Sequence, residues 1–178
     1  MIVFHVAIDT HPDYLARREP HRRAHIERLT GLRELGAVIG GGPAPDGSGV
    51  DLVYRLQQAS QLEPAIEEDP YWVGGAWTAY RERSFAEFVE PWQLPPIVLD
   101  GSRRVTLVEG HMTDPDMAQF VMIEMRGAGR LLFGGAFPDG ATLGVMKSED
   151  AEEAKAWFAV TGFWEPESLT ARPLLHVL

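Results

Sequence analysis

The sequence predicts an α+β fold made of two tandem ferredoxin-like βαββαβ units packed sheet to sheet. Three observations carry this. First, one pattern occurs twice. Gly36, Gly41, Gly42, Pro45, Asp46 and Gly47 recur in order as Gly129, Gly134, Gly135, Pro138, Asp139 and Gly140. Thr10, Pro12 and Asp13 recur as Thr113, Pro115 and Asp116, and Tyr71-Trp72 as Phe163-Trp164. A repeat of this length sets the architecture before any single element is assigned. Second, apolar runs of strand length alternate with stripes of helical spacing in the order β-α-β-β-α-β, the split βαβ arrangement. Third, each copy is too small to cover the bare face of its own sheet, so the two copies are expected to cover one another as an intramolecular pseudo-dimer.

The elements follow in order. Residues 2–8 are apolar and β-branched, as in a buried strand. Pro20 suits the first turn of a helix, whose stripe is Ile26, Leu29, Leu32 and Leu35 and whose end is Gly36. A short strand over 37–39 leads through Pro45-Asp46-Gly47, a turn sequence, to a hairpin partner over 50–56. A second helix is expected over 60–68, where Ser60 and Glu63 are spaced as a capping box, and a last strand over 76–88. The second copy should place its elements at 104–110, 114–127, 130–134, 141–147, 149–160 and 168–177. It is the shorter copy between first strand and first helix, because the offset between matched residues narrows there. The domains are therefore expected at 1–92 and 104–178, with a proline-rich linker over 93–103.

Composition narrows the function classes. With 45% hydrophobic and 24% charged residues the chain is not disordered. The formal charge of −10 has no basic block, which argues against a nucleic-acid partner. Absence of cysteine excludes disulfides, thiol nucleophiles and cysteine metal sites. No run of about 18 apolar residues suggests a membrane span, and the start lacks the basic region of a signal peptide, so a cytoplasmic protein is expected.

The first copy resembles the YCII-related family of small ferredoxin-like proteins, allied to the dimeric α/β-barrel superfamily. The resemblance runs through Val6-Ala-Ile-Asp9, through Arg23-Ala-His25-Ile-Glu-Arg-Leu29, through Gly42-Pro-Ala-Pro-Asp46-Gly47 and through 69–74. The second copy resembles it through 134–140 and the helix over 148–158, as a degenerate copy. The resemblance implies a histidine–aspartate pair. Carried onto this sequence, the histidine is His25 and the acids are Asp9 and Asp46. The family includes a chlorohydroquinone dehydrochlorinase.

The residues support the same candidates and leave plainer readings open. A carboxylate closing the first strand can orient an imidazole at the start of the next helix, as an acid–base pair requires. His25 also lies on the apolar stripe, where a histidine is often a packed core residue. Asp46 also fits an ordinary turn, and Asp9 a loop start. The second copy has Ala118 and Met112 where the first has His25 and Asp9, so a site is expected in the first copy only. Trp72, Trp77 and Tyr80 are candidates to line a pocket, and Arg22, within a local run of arginines, to attract an anionic substrate. Aromatic core and a solvated helix face are the corresponding structural readings. His21 and His25 have a zinc-compatible spacing, but Arg22 and Arg23 oppose a cation, so no metal is expected. The glycines at 40–42 lack the lysine and helix of a phosphate loop, so no nucleotide cofactor is expected. The sequence thus points to a cofactor-independent lyase, isomerase or dehydrochlorinase-like enzyme acting on a small molecule. The alternative is a non-catalytic metabolite-binding or regulatory module, and a homodimer is a further possible partner arrangement.

Overall fold

The computed structural model describes every residue except Trp92, which falls at the expected domain boundary and lies outside the described residues. The chain divides into two compact units. Unit 1 comprises Met1–Ser84, Leu94–Asp100 and His176–Leu178, and unit 2 comprises Phe85–Gln93 and Gly101–Leu175. The fold class is α+β, with one antiparallel sheet in each unit.

In unit 1 the elements run β1 (Ile2–Thr10), α1 (Tyr14–Arg18), α2 (Arg22–Glu34), β2 (Val38–Pro43), β3 (Gly49–Leu56), α3 (Leu62–Glu67), α4 (Pro70–Val73) and β4 (Trp77–Ser84). The sheet order is β2-β3-β1-β4. Strand alternation sets the core. Val6 and Ile8 of β1 pair with Leu52 and Val50 of β3, and all four join Leu29 of α2, Ile66 of α3 and Tyr71 of α4 in one cluster. His5, Ala7 and Asp9 have the opposite parity and stand on the other face of the sheet. Close strand pairing demands glycine at Gly41, which has φ +132° and lies where a Cβ would meet the Asp51 carbonyl.

The helix expected from Pro20 begins earlier, at Tyr14. Pro20 lies instead in a 3-10 turn (Glu19–His21) that joins α1 to α2. Proline has no N–H to give to the helical ladder, so the ladder tightens there without stopping. This helical segment is the length difference between the halves. Residues 11–21 join β1 to α2, whereas only 112–114 lie between the matching elements of unit 2.

Unit 2 runs β5 (Ala86–Val89), β6 (Arg104–His111), α5 (Pro115–Gly127), β7 (Leu131–Ala136), β8 (Ala141–Met146), α6 (Ala151–Ala159) and β9 (Thr170–Leu175), with sheet order β5-β7-β8-β6-β9. Asp150 caps α6 by accepting from the amides of Glu152 and Glu153, and Asp114 caps α5.

The last strand expected over 76–88 is two strands. It breaks at Phe85: β4 pairs with β1 in unit 1, and β5 pairs with β7 in unit 2. The C-terminus does the converse. Beyond β9, the amides of Val177 and Leu178 donate to Gly41 of β2 at 3.0 and 3.2 Å, and Leu178 is buried in the core of unit 1. The 93–103 segment also contributes to unit 1, where Val98 donates to the Val177 carbonyl and the Arg33 guanidinium reaches Pro95. Among the described residues no helix is long and apolar enough to cross a membrane.

Candidate functional site

His25 is the fourth residue of α2, and its face of the helix packs toward α4. Its partner there is Asp69. His25 Nδ1 lies 2.7 Å from Asp69 Oδ1, and Asp69 is fully buried. The local sequence explains the position of the acid. Asp69 caps α4, accepting the Tyr71 amide at 2.8 Å, and Pro70 occupies the first helical position, where a missing N–H costs nothing. One carboxylate oxygen therefore fixes both the cap and the imidazole. The other, Oδ2, is enclosed without a hydrogen bond.

An ionised carboxylate only accepts hydrogen bonds, so it selects the His25 tautomer with the proton on Nδ1 and the lone pair on Nε2. The ring is held in place on other sides too. Tyr71 stacks on it with centroids 3.7 Å apart, and Trp77 meets it edge-on at 5.3 Å. Because Asp69 is enclosed while the His25 side chain keeps 11% exposure, the pair is reached from the imidazole.

Tyrosines cluster around this pair. Burial pushes the Tyr71 hydroxyl up from its ordinary value, against the pull of Arg18 and Arg22. Burial raises Tyr14 too, again opposed by Arg18, whose guanidinium lies 5.2 Å from the Tyr14 ring centre. Tyr54 is raised by burial and then by the charge of Asp69.

The other candidates lie elsewhere. Asp9 stands on the opposite sheet face and forms a two-point ion pair with Arg81 at 2.8 and 3.0 Å. Asp46 accepts the amide and hydroxyl of Ser48 at 3.0 and 2.6 Å, and those bonds hold its carboxyl below the usual range. It borders a cleft of about 610 Å³ between residues 10–16 and 46–48, lined in part by His11 and Tyr14 but not by His25. Neither acid meets His25. Trp72 and Tyr80 pack against each other with centroids 5.4 Å apart, and the Tyr80 hydroxyl donates to Glu67 at 3.1 Å. Of the three aromatic candidates, Trp77 alone touches the imidazole. Arg22 is exposed at the start of α2. The His21 ring packs over Gly74, where a Cβ would collide with it. Among the described residues no group of three acids or histidines converges as a metal site would require.

Two features escaped the sequence reading. Asp69 had a visible signal, the Asp-Pro start of a short helix. The second is His5, buried, with Nε2 2.7 Å from Asp51 Oδ1 across β1 and β3. Its signal was a histidine in an otherwise apolar strand.

Unit 2 has none of the pair. Ala118 is the fourth residue of α5, as His25 is of α2, and it is fully buried. Thr161 and Phe163 stand before and in the segment matching Asp69 and Tyr71, and the Phe163 amide donates to the Thr161 hydroxyl at 3.4 Å. The side-chain-to-amide bond recurs there with a neutral oxygen, but no α-helix follows it.

No family model matches the chain, and no curated protein matches it. Solved structures do. The chain is similar to a "putative monooxygenase" of Lactobacillus acidophilus NCFM, with 11% identity, 99% of this chain and 94% of that one covered, and a TM-score of 0.63. A second "putative monooxygenase", from Fusobacterium nucleatum subsp. nucleatum, has 10% identity, 99% and 92% coverage and a TM-score of 0.60. This likeness shows the α+β fold of ferredoxin-like units. A 5-chloro-2-hydroxyhydroquinone dehydrochlorinase of Burkholderia phenoliruptrix AC1100 matches over 51% of this chain and 93% of its own, at 21% identity and a TM-score of 0.41.

Proposed function

We propose that this chain is a tandem pair of YCII-like units, 1–92 and 104–178, in which the first alone carries a site, and that the site moves a proton on a small molecule without a cofactor. The observation that carries the reading is the His25–Asp69 contact at 2.7 Å, with Asp69 buried and Nε2 left as the free basic atom. Nε2 takes a proton from a carbon next to a carbonyl, and the C–H electrons form an enolate. Return of that proton to a different carbon completes an isomerisation. Departure of a neighbouring chloride with its bonding electrons completes loss of HCl. Asp69 holds the tautomer and stabilises the imidazolium formed in between. Asp9 and Asp46 enter this proposal only as outlying polar groups, because neither reaches the imidazole.

The test is a panel of cyclic enones, 1,3-dicarbonyl compounds and chlorinated hydroquinones, incubated with the full chain in D2O. Deuterium uptake at carbon and chloride release are read out. One class should turn over, and His25→Gln and Asp69→Asn should each slow it by about 10²- to 10⁴-fold, the usual contribution of a positioned acid–base group. Equal rates in wild type and both variants would refute the proposal. The enclosure of His25 between Tyr71 and Trp77 favours a second reading, a metabolite-binding module. In that case the compounds would bind and none would react.

A further inference from the structure

Tyr14 and Arg18 lie one turn apart on α1, and Arg22 and His25 lie one turn apart on α2, with the 3-10 turn at Glu19–His21 between them. Two of them are arginines. The nearest acid to Arg18 is Glu19, at 3.8 Å and mostly exposed, and Arg18 Nε is enclosed without a hydrogen bond. Arg22 makes no ion pair among the described residues. Arg28 is held by Glu68 and the Pro64 carbonyl, and Arg81 by Asp9, whereas Arg23 meets Glu27 only at 3.8 Å, the separation of Arg18 from Glu19, and on a more exposed face. Arg18 and Arg22 stand beside the His25–Asp69 pair. Both arginines act on Tyr71, which stacks on His25, and Arg18 lies over Tyr14.

We infer that the substrate is a small organic anion, a carboxylate or a phenolate, whose charge is received by Arg18 and Arg22 while its reacting carbon faces His25 Nε2. The inference rests on the proton-transfer reading above and adds the substrate class. At 1.5 Å rise per residue Arg22 lies about 5 Å along α2 from His25, and Arg18 lies over the Tyr14 ring, whose centre is 6.0 Å from that of Tyr71. Guanidinium groups recognise a planar carboxylate through paired N–H donors. They also offset the second negative charge that appears when an anion is deprotonated at carbon. The segment that supplies Arg18 is the one unit 2 lacks.

The probes are benzoate and 2,4-dinitrophenolate, with benzamide as the neutral counterpart of benzoate. They are titrated into the full chain while backbone amide resonances are followed by NMR. Both anions should bind saturably and shift the signals of Arg18, Arg22, His25 and Tyr71, and benzamide should bind at least tenfold more weakly. Arg18→Gln and Arg22→Gln should each weaken benzoate binding about five- to tenfold, and Arg23→Gln, on an exposed face, should not. No saturable binding of either anion, equal binding of benzamide, or binding indifferent to both arginine variants would each overturn the inference. The two proposals fail separately. If the anions bind through the arginines but His25→Gln leaves turnover intact, the proton-transfer reading falls. If His25→Gln abolishes turnover while binding ignores the arginines, only the anion assignment falls.

Discussion

The imidazole of His25 and the phenol ring of Tyr71 lie face to face, with planes 10° apart and centroids 3.7 Å apart. Asp69 is the reason. A single oxygen holds His25 Nδ1 and the Tyr71 amide, at 2.7 and 2.8 Å. The atoms that fix the base and the ring beneath it are therefore the same atoms.

This predicts a difference between two substitutions at Asp69. Asparagine keeps an oxygen for the Tyr71 amide, and Asp69→Asn should cost less than about 1 kcal/mol. Asp69→Ala removes a helix cap worth about 1 kcal/mol. It also leaves the buried Nδ1 without a partner, at about 1–3 kcal/mol. Urea unfolding of the two variants measures the gap, and equal stabilities would show that the cap and the imidazole are held by something else.

Transplanting the histidine should fail. Ala118 is fully buried in α5, so Ala118→His inserts a ring where there is no space, and overpacking of this kind costs about 1–3 kcal/mol. Thr161 offers no carboxylate to hold the new ring. Thermal melting should show a lower Tm, and an unchanged Tm would show that the site can accommodate the ring.

The four tyrosines give a pH prediction. Tyr14, Tyr54, Tyr71 and Tyr80 are all raised, chiefly by burial, with Tyr80 pushed up to about 12. A folded-state value above the unfolded one means that the folded state keeps its proton longer. The associated stability is complete below about pH 10, the unfolded value, and is lost as pH rises through the folded values. Phenolate absorbance should therefore be nearly absent at pH 10 in the native protein and should rise together with loss of circular dichroism at higher pH. A full tyrosine titration centred on pH 10 with the fold intact would contradict this.

Leu178 provides a test of the fold. Its side chain is 2% exposed in the core of unit 1, and its amide joins that of Val177 on Gly41. Leu178→Ala should cost about 2–3 kcal/mol, as for a buried leucine. Deleting 176–178 should cost more. Hydrogen exchange should quicken in β2 and β3, far from the deletion in sequence.

Much of the fold was legible because apolar periodicity and Gly/Pro punctuation are local signals. The strands at 2–8, 50–56 and 104–110 and the helix at 114–127 lie within a few residues of where those signals put them. The break at Phe85 was not legible, since strand propensity does not say which sheet a strand joins. The early start of the first helix was masked by Pro20, which is equally at home in a 3-10 turn. At the candidate site, His25 stood out through the resemblance of its segment to the YCII-related family, while its place on the apolar stripe left a core reading open. Its partner did not stand out, because Asp69 is 44 residues away and only the packing of α4 on α2 brings it near. The parity of β1 did hold a clue about Asp9. Ile8 and Val6 face the helices, so Asp9 beside them faces away.

The terminal residues of unit 1 also set a schedule. Its outer strand β2 binds residues 176–178, which are made after the rest of unit 2, and its sheet is left early by a strand that unit 2 requires. A ribosome that has released residues 1–84 has therefore released most of a domain but not its closing piece. During synthesis the first half must wait with β2 uncovered, and an uncovered strand edge is a place where a nascent chain can pair with a stranger. The glycines of β2 deprive that edge of side chains. In the cell, that vulnerable interval would end only once residues 176–178 have emerged, and slowing the ribosome over unit 2 would lengthen it.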